Sequence, residues 1–255
     1  MAGESSRYSP ACAVRALSMT SRAEEVQRLF DLKSPTWSAK YRGRGALAER
    51  RARFVKAVTE LRPPPADLLD YGCGSGSIAR ALAEVGYSVS GCDISPGMIR
   101  NARNMGVESA VRIRWIELNA TEARLPFEDR SFDVIIASSV FEYLSDPLAS
   151  LRELRRVIRD DGLLLCTVPN VSHGLRRLEA FLALAATRPL EHVTRRVSRR
   201  LSSYISYLRL SRNRMQLTGW DRLARSAGFG GVISNEHDDN GNSLLMLRLK
   251  PTGTD

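Results

Sequence analysis

The segment Leu68-Leu69-Asp70-Tyr71-Gly72-Cys73-Gly74-Ser75-Gly76 constrains the fold more than any other part of the chain. A short apolar strand runs straight into a turn with glycine at alternate positions, and helical periodicity starts at Ile78. Glycine adopts positive φ without steric cost and lets a ligand approach the backbone, while the N-terminus of the following helix presents unpaired N–H groups. Strand, glycine turn and helix in that order open a parallel α/β sheet that binds a nucleotide-like ligand. The spacing is GxGxG, which is neither the GxGxxG of dinucleotide enzymes nor a P-loop. About twenty residues on, a second strand ends in Gly91-Cys92-Asp93, where an acid can accept hydrogen bonds from both ribose hydroxyls.

The rest of the chain repeats the alternation. Apolar runs at Asp67 to Tyr71, Ser88 to Cys92, Arg112 to Leu118, Val134 to Ser138 and Leu163 to Val168 read as strands. Helical patterns lie between them at Ile78 to Val85, Pro96 to Met105 and Pro147 to Val157, the last closed by Asp161-Gly162. This is the signature of a mostly parallel sheet covered by helices. Two helical segments, Gly174 to Ala186 and Val193 to Leu210, interrupt the alternation before a helix at Gly219 to Ala227. Two last strands, Val232 to Glu236 and Ser243 to Leu249, flank the turn-rich Asp238-Asp239-Asn240-Gly241 and predict a terminal antiparallel hairpin.

Ahead of the sheet, residues 1–20 lack apolar periodicity and read as a disordered leader, with Met19 an alternative start. Ser21 and Glu24 form a capping-box pattern, and a second helix runs from Ala46 to Leu61 before the Pro63-Pro64-Pro65 breaker. The expected organisation is a helical lid at 21–62 and one sheet domain at 63–255, with a helical cap insert at about 172–215.

Composition narrows the class. With 43% hydrophobic and 26% charged residues in 255, the chain is neither disordered nor fibrous. No apolar run reaches a membrane span or a signal peptide, which predicts a cytoplasmic protein. Cys12, Cys73, Cys92 and Cys166 form no CxxC pair and no cluster with histidine, so neither a metal site nor a disulfide framework is expected. The net charge is +10, and between Ser172 and Arg225 twelve arginines face only Glu179, Glu191 and Asp221. Such a balance suits a nucleic acid, an anionic membrane surface or an acidic substrate.

The motifs resemble those of the class I S-adenosylmethionine-dependent methyltransferases. The similarity runs through DYGCGSGSIA at 70–79, GCDISPGMI at 91–99, LPFEDRSFDVI at 125–135 and SSVFEYLSDPLASLRELRRVIRDDGLLLCTVPN at 138–170. The helix ending Arg225-Ser226-Ala227-Gly228-Phe229 extends it. The flavour is that of the small-molecule branch, which includes ubiquinone-pathway O-methyltransferases and magnesium-protoporphyrin methyltransferases. The resemblance implies a Rossmann-like seven-stranded, mostly parallel sheet with a terminal antiparallel hairpin, and S-adenosyl-L-methionine as cofactor.

Carried onto this chain, the resemblance assigns Asp70 and the backbone of Gly72, Cys73, Gly74 and Gly76 to the methionine part of the cofactor. Asp93 would take the ribose, and Ile94 and Met98 the neighbourhood of the adenine. Asn119 and the backbone of Ala120 would meet the adenine edge, with Thr121 or Glu122 as substitutes in that register. Ser138 ends the fourth strand beside the cofactor; Phe30, Trp37 and Tyr41 resemble the lid of the same branch, with Tyr41 read as lid, Phe30 as core, and Trp37 as either lid or the apolar side of a docking helix. Where many relatives carry Glu-His, this chain has Glu142-Tyr143. Tyr143 is a candidate substrate contact, and His173, just after the fifth strand, is the candidate base among three histidines.

The expected reaction is methyl transfer to a small-molecule acceptor, with an oxygen atom the favoured nucleophile. Rival readings are a catalytically inactive S-adenosylmethionine-binding protein and a nucleic-acid methyltransferase. The second lacks support, because neither the Pro-Pro-aromatic tetrapeptide of amino-methylating enzymes nor a Pro-Cys nucleophile is present. Written as one helix, Arg195 to Asn213 aligns Val197, Leu201, Ile205 and Leu208 opposite arginines. That pattern suits a lid over the acceptor or peripheral contact with the inner membrane face.

Overall fold

The structure is a computed structural model that describes residues 21–105, 111–122, 124–234 and 242–253. The leader at 1–20, His237 and the turn at 238–241 lie outside the described residues.

Two helices precede the sheet. Helix α1 (Arg22–Trp37) begins with the expected capping box, in which Ser21 and Glu24 exchange side-chain and backbone bonds. A 3₁₀ turn at Ser38–Tyr41 leads to α2 (Ala46–Leu61), which buries Phe54 and Val58. Five parallel strands follow: β1 (Asp67–Tyr71), β2 (Ser88–Asp93), β3 (Arg114–Glu117), β4 (Phe132–Ser138) and β5 (Ile158–Pro169). They alternate with α3 (Ser77–Glu84), α4 (Pro96–Asn104) and α5 (Pro147–Val157). The cap comprises α6 (Gly174–Ala185), α7 (Arg188–Val197) and α8 (Arg199–Leu210); α9 (Leu217–Ser226), β6 (Ile233–Ser234) and β7 (Leu244–Leu249) complete the chain.

The sheet order is β3-β2-β1-β4-β5-β7-β6, with β7 antiparallel to both neighbours. The strands are apolar on both faces because helices cover both, and successive residues alternate between two cores. Leu68, Val134, Ile136 and Leu165 pack against Phe54, Val58, Ile78 and Leu82 on one face. Leu69, Ile135, Leu164 and Val168 meet Leu151, Leu154, Trp220 and Phe229 on the other. The order reverses between β1 and β4, whose carboxyl ends therefore open into a crevice at the switch point.

Two element boundaries differ from the sequence expectation. Asp161-Gly162 does not close α5; it lies inside β5, which starts at Ile158 and shifts register against β4 between Phe132 and Val134. A Cβ on Gly162 would lie 2.5 Å from Ile158 Cγ1, so the irregular pairing there requires glycine. The helix expected at 193–210 is two helices. Ser198 is extended (φ −154°, ψ 121°) and its hydroxyl accepts the Leu201 N–H at 3.3 Å, so α8 starts from its own cap. The proposed single stripe breaks there: Val197 and Leu201 are exposed, whereas Ile205 and Leu208 are buried.

Candidate active site

The glycine turn leaves β1 with Gly72, Gly74 and Gly76 all at positive φ, at 73°, 54° and 74°. Its shape is fixed by β2, since the N–H groups of Gly72 and Cys73 donate to Cys92 O at 2.8 and 3.0 Å. Asp93 completes the link: one carboxylate oxygen accepts the Gly74 N–H at 2.9 Å and the other the Ser95 N–H at 2.8 Å. Each oxygen keeps a second lone-pair direction for a ligand hydroxyl. Burial pushes the Asp93 carboxyl up to about 6, against the pull of those N–H donors.

A cavity of about 720 Å³ lies over this turn. Asp70, Gly72, Cys73, Gly74, Asp93, Ile94, Met98, Asn119, Ala120, Ser138, Tyr41 and Tyr143 all line it. Gly76 does not line it; the space a side chain would need there is filled by the Trp115 ring, which also closes over Gly91. His173 does not line it either, and sits at the N-cap of α6 with its N–H bonded to Asn170 O. Asn119 holds a local turn, its Oδ1 accepting from Thr121 N and Oγ1 at 3.1 and 2.9 Å, and Thr121 and Glu122 line the same end.

The N-terminal helix forms one wall. Asp31 accepts from Ser95 Oγ at 2.6 Å and Gly97 N at 3.0 Å, and Asn101 donates to Ser34 O at 2.6 Å, so α1 is pinned to α4. This anchoring places Phe30, Lys33, Trp37 and Tyr41 on the cavity, and Trp37 Nε1 stands 3.1 Å from where a Gly74 Cβ would lie. Burial raises the Tyr41 hydroxyl to about 12.

At the opposite end Phe30, Glu142 and Tyr143 are joined by Lys33, Arg50, Arg176 and Tyr207, which the sequence motifs do not announce. Lys33 stands 5.4 Å from the centroid of the Phe30 ring and 5.8 Å from that of Tyr207. Its ammonium is pushed down to about 8, first by burial and then by Lys40, with Glu142 opposing. Tyr143 meets Phe30 edge-on at 5.2 Å and Tyr207 at 6.4 Å. Arg50 donates to Ser139 Oγ at 3.0 Å, and Arg176 donates to Glu179 at 2.8 Å and to the Tyr207 hydroxyl. Burial raises the Glu142 carboxyl, with Arg176 and Arg50 pulling it back. The cap is held over this end by Asn213, which donates to Phe141 O and Leu144 O at 2.7 Å each. Arg209 ties α8 to Glu25 at 2.5 Å and to Glu191 at 3.0 Å.

The residues suit an aminoacyl nucleoside with a positive charge. Asp70 Oδ2, Ser138 Oγ and Glu142 Oε2 are buried on the cavity without a hydrogen-bond partner, an arrangement that calls for polar groups of a ligand. Asp70 is 1% exposed, and burial together with the neighbouring Asp93 lifts its carboxyl to about 7. An ammonium group would hold it ionised. Among the described residues no group of three His, Cys, Asp or Glu is placed to hold a metal ion.

Residues 69–166 match the methyltransferase domain family. The ubiquinone biosynthesis O-methyltransferase of Xanthomonas campestris pv. campestris (strain B100) is 28% identical over 179 residues, 70% of this chain and 69% of that protein. Its counterpart in Cereibacter sphaeroides is 35% identical over 103 residues, 40% of this chain and 41% of the relative. The magnesium protoporphyrin IX methyltransferase of Synechocystis PCC 6803, solved with SAH bound, has the same fold. It aligns with a TM-score of 0.64 at 16% identity, covering 89% of this chain and 98% of that one. The domain match runs from β1 into β5 and carries the whole glycine turn with Asp70 and Asp93; over these residues the chain is similar to the S-adenosylmethionine-dependent methyltransferases.

Proposed function

We propose that this enzyme methylates an oxygen atom, a hydroxyl or carboxylate, of a small-molecule acceptor in the cytoplasm. The observation that carries the reading is the two-ended cavity: the glycine turn with buried Asp70 and half-buried Asp93 at one end, and an aromatic chamber with ionisable groups at the other. Its relatives named as ubiquinone O-methyltransferases support oxygen as the acceptor atom. Among the described residues no helix is long and apolar enough to cross a membrane.

When bound, S-adenosylmethionine supplies a sulfonium methyl group; the acceptor oxygen bonds to that carbon as the carbon–sulfur bond breaks, leaving S-adenosylhomocysteine. Asp70 pairs with the ammonium of the methionine part and Asp93 accepts from the ribose hydroxyls. The backbone of Gly72, Cys73 and Gly74 lies against the methionine part. Ile94 and Met98 flank the adenine, with Asn119 and Ala120 at its edge. Phe30, Trp37 and Tyr41 on the N-terminal segment cover the site and exclude water, which strengthens every charge interaction inside it.

In-line placement of two reactants supplies most of the acceleration such a transfer needs. A hydroxyl acceptor must also lose its proton. Lys33, depressed to about 8 on the chamber wall, is able to take it at Nζ. Tyr143 lines the chamber and orients the acceptor, while His173, off the cavity, has no part in our reading of the transfer.

The test is incubation of the protein with S-adenosylmethionine and a panel of phenols, catechols, carboxylic acids and amines, with product masses and S-adenosylhomocysteine measured together. Methylated oxygen in step with S-adenosylhomocysteine is expected. Methylation confined to nitrogen would overturn the acceptor assignment.

A further inference from the structure

The cap helices are built inside out. On α6 the only buried residue is Glu179, at 6% exposure, and Arg176 beside it faces inward to line the cavity. The apolar residues of the same helix face solvent: Leu175 is 52% exposed, Leu178 54%, Phe181 71% and Leu184 81%. On α7 the only buried residue is Thr194, while Leu190, Val193 and Val197 are exposed at positions sharing one helical face. A surface helix of a water-soluble protein shows the opposite arrangement, with its apolar stripe on the core. The inversion has a cause in the site, since Arg176 and Tyr207 line the chamber and Glu179 accepts from both, which turns the leucines outward.

Cationic side chains accompany the apolar rows. Arg177 precedes Phe181 by four residues and Arg196 follows Val193 by three, so each shares a face with the apolar residue it accompanies. Arg199 and Arg200 follow at the start of α8. All four are exposed, and none forms an ion pair among the described residues. Arg188 and Arg195, by contrast, are held by Glu25 and Glu191.

We propose that α6 and α7 dock the enzyme on an anionic lipid bilayer, with the leucine and phenylalanine side chains entering the acyl boundary and the arginines among the headgroups. Charge complementarity selects this occupant. A two-fold contact with a second copy would set the same arginines against one another, whereas an anionic surface meets all of them and accepts the apolar rows between them. The proposal replaces the single amphipathic helix expected at Arg195 to Asn213 by a surface on two helices, with α6, absent from that expectation, as its main apolar element.

The experiment is sedimentation of the full-length protein with vesicles of phosphatidylcholine alone and of phosphatidylcholine mixed with phosphatidylglycerol, at low and at physiological salt. The protein is expected to pellet with the anionic vesicles, less so as salt rises. The double substitution Leu178→Ser with Phe181→Ser should lower partitioning at least about tenfold. A separate variant, Arg177→Gln with Arg196→Gln, Arg199→Gln and Arg200→Gln, should remove the preference for anionic lipid. Titration with S-adenosylhomocysteine should give the wild-type affinity for both, which separates loss of docking from loss of the cofactor site. Absence of binding to anionic vesicles at low salt would overturn the proposal, as would unchanged binding by both variants. So would a dimer in sedimentation velocity that the same leucine and phenylalanine substitutions dissolve.

Discussion

The carboxylate of Asp93 accepts the backbone N–H of Gly74 at 2.9 Å. It holds the glycine turn in its left-handed course, and in the proposed reading its remaining lone pairs accept from the ribose hydroxyls. Asp93→Ala is expected to weaken binding of S-adenosylhomocysteine by about 10- to 100-fold, matching the roughly 1.5–3 kcal/mol of hydrogen bonds to a charged group. Calorimetric titration measures this. Asp93→Asn, which keeps one acceptor oxygen, should fall between the two, and equal affinity in all three proteins would remove Asp93 from the site.

Gly74 has φ 54°, and the nearest atom to an added Cβ would be Trp37 Nε1 at 3.1 Å, across the cavity mouth. Gly74→Val forces a β-branched residue into a backbone region that disfavours it and puts its methyl groups into the cavity, where the proposed function places the cofactor. The expected outcome is a protein with wild-type far-ultraviolet circular dichroism that no longer binds the cofactor product. Binding within a few-fold of wild type would show that the ligand does not cross this turn.

Asp70 makes a prediction about stability. Its folded carboxyl titrates near 7 against an ordinary 3.8, so the native state holds a proton that the unfolded chain has already released. Stability from this group is therefore present at low pH and is lost as pH rises from about 4 through 7. Asp70→Asn, neutral at every pH, should make the cofactor-free protein more stable at pH 8 by something on the order of 2 kcal/mol, with little change near pH 4. The same variant should bind S-adenosylmethionine poorly, because the ammonium loses its partner. Thermal unfolding at the two pH values measures the first effect; destabilisation at pH 8 would contradict it.

Lys33 faces Glu142, Tyr143, Tyr207, Lys40 and Arg176 across the chamber and titrates near 8. If its neutral amine receives the acceptor's proton, kcat rises with pH through about 8 and levels above. Lys33→Met should remove that limb and lower kcat at pH 8 by about 10²–10⁴-fold, the usual contribution of a positioned base. A change confined to KM, with the pH profile intact, would reduce Lys33 to a binding contact.

The fold was legible because the sheet is buried on both sides. Leu68 and Leu69 point into different cores, as do Ile135 and Ile136, so the strands read as continuous apolar runs. The cofactor end was legible for a related reason: backbone conformation and a strand-end carboxylate leave fixed spacings in sequence. The acceptor end was not. Lys33 and Tyr207 are brought together by long-range packing of α1 on α8, which no local spacing encodes. His173 drew notice because it follows β5 in the chain, yet it stands at the N-cap of α6 and does not line the cavity. Ser198 was read through as helix because its neighbours are good helix formers, whereas its side chain caps the next helix. The outward turn of the α6 leucines was not legible, because outward-facing apolar residues have no sequence mark of their own.

The most direct test of the site is titration of S-adenosylhomocysteine into wild-type protein and into Asp70→Asn across pH 5 to 8. The wild type should bind one molecule per chain, with affinity falling as pH drops below about 7 and a proton released on binding there. Asp70→Asn should bind weakly, without that pH dependence. Wild-type binding that is absent, or that keeps the same pH dependence when Asp70 is replaced, would contradict the assignment of the buried aspartate to the cofactor's ammonium group.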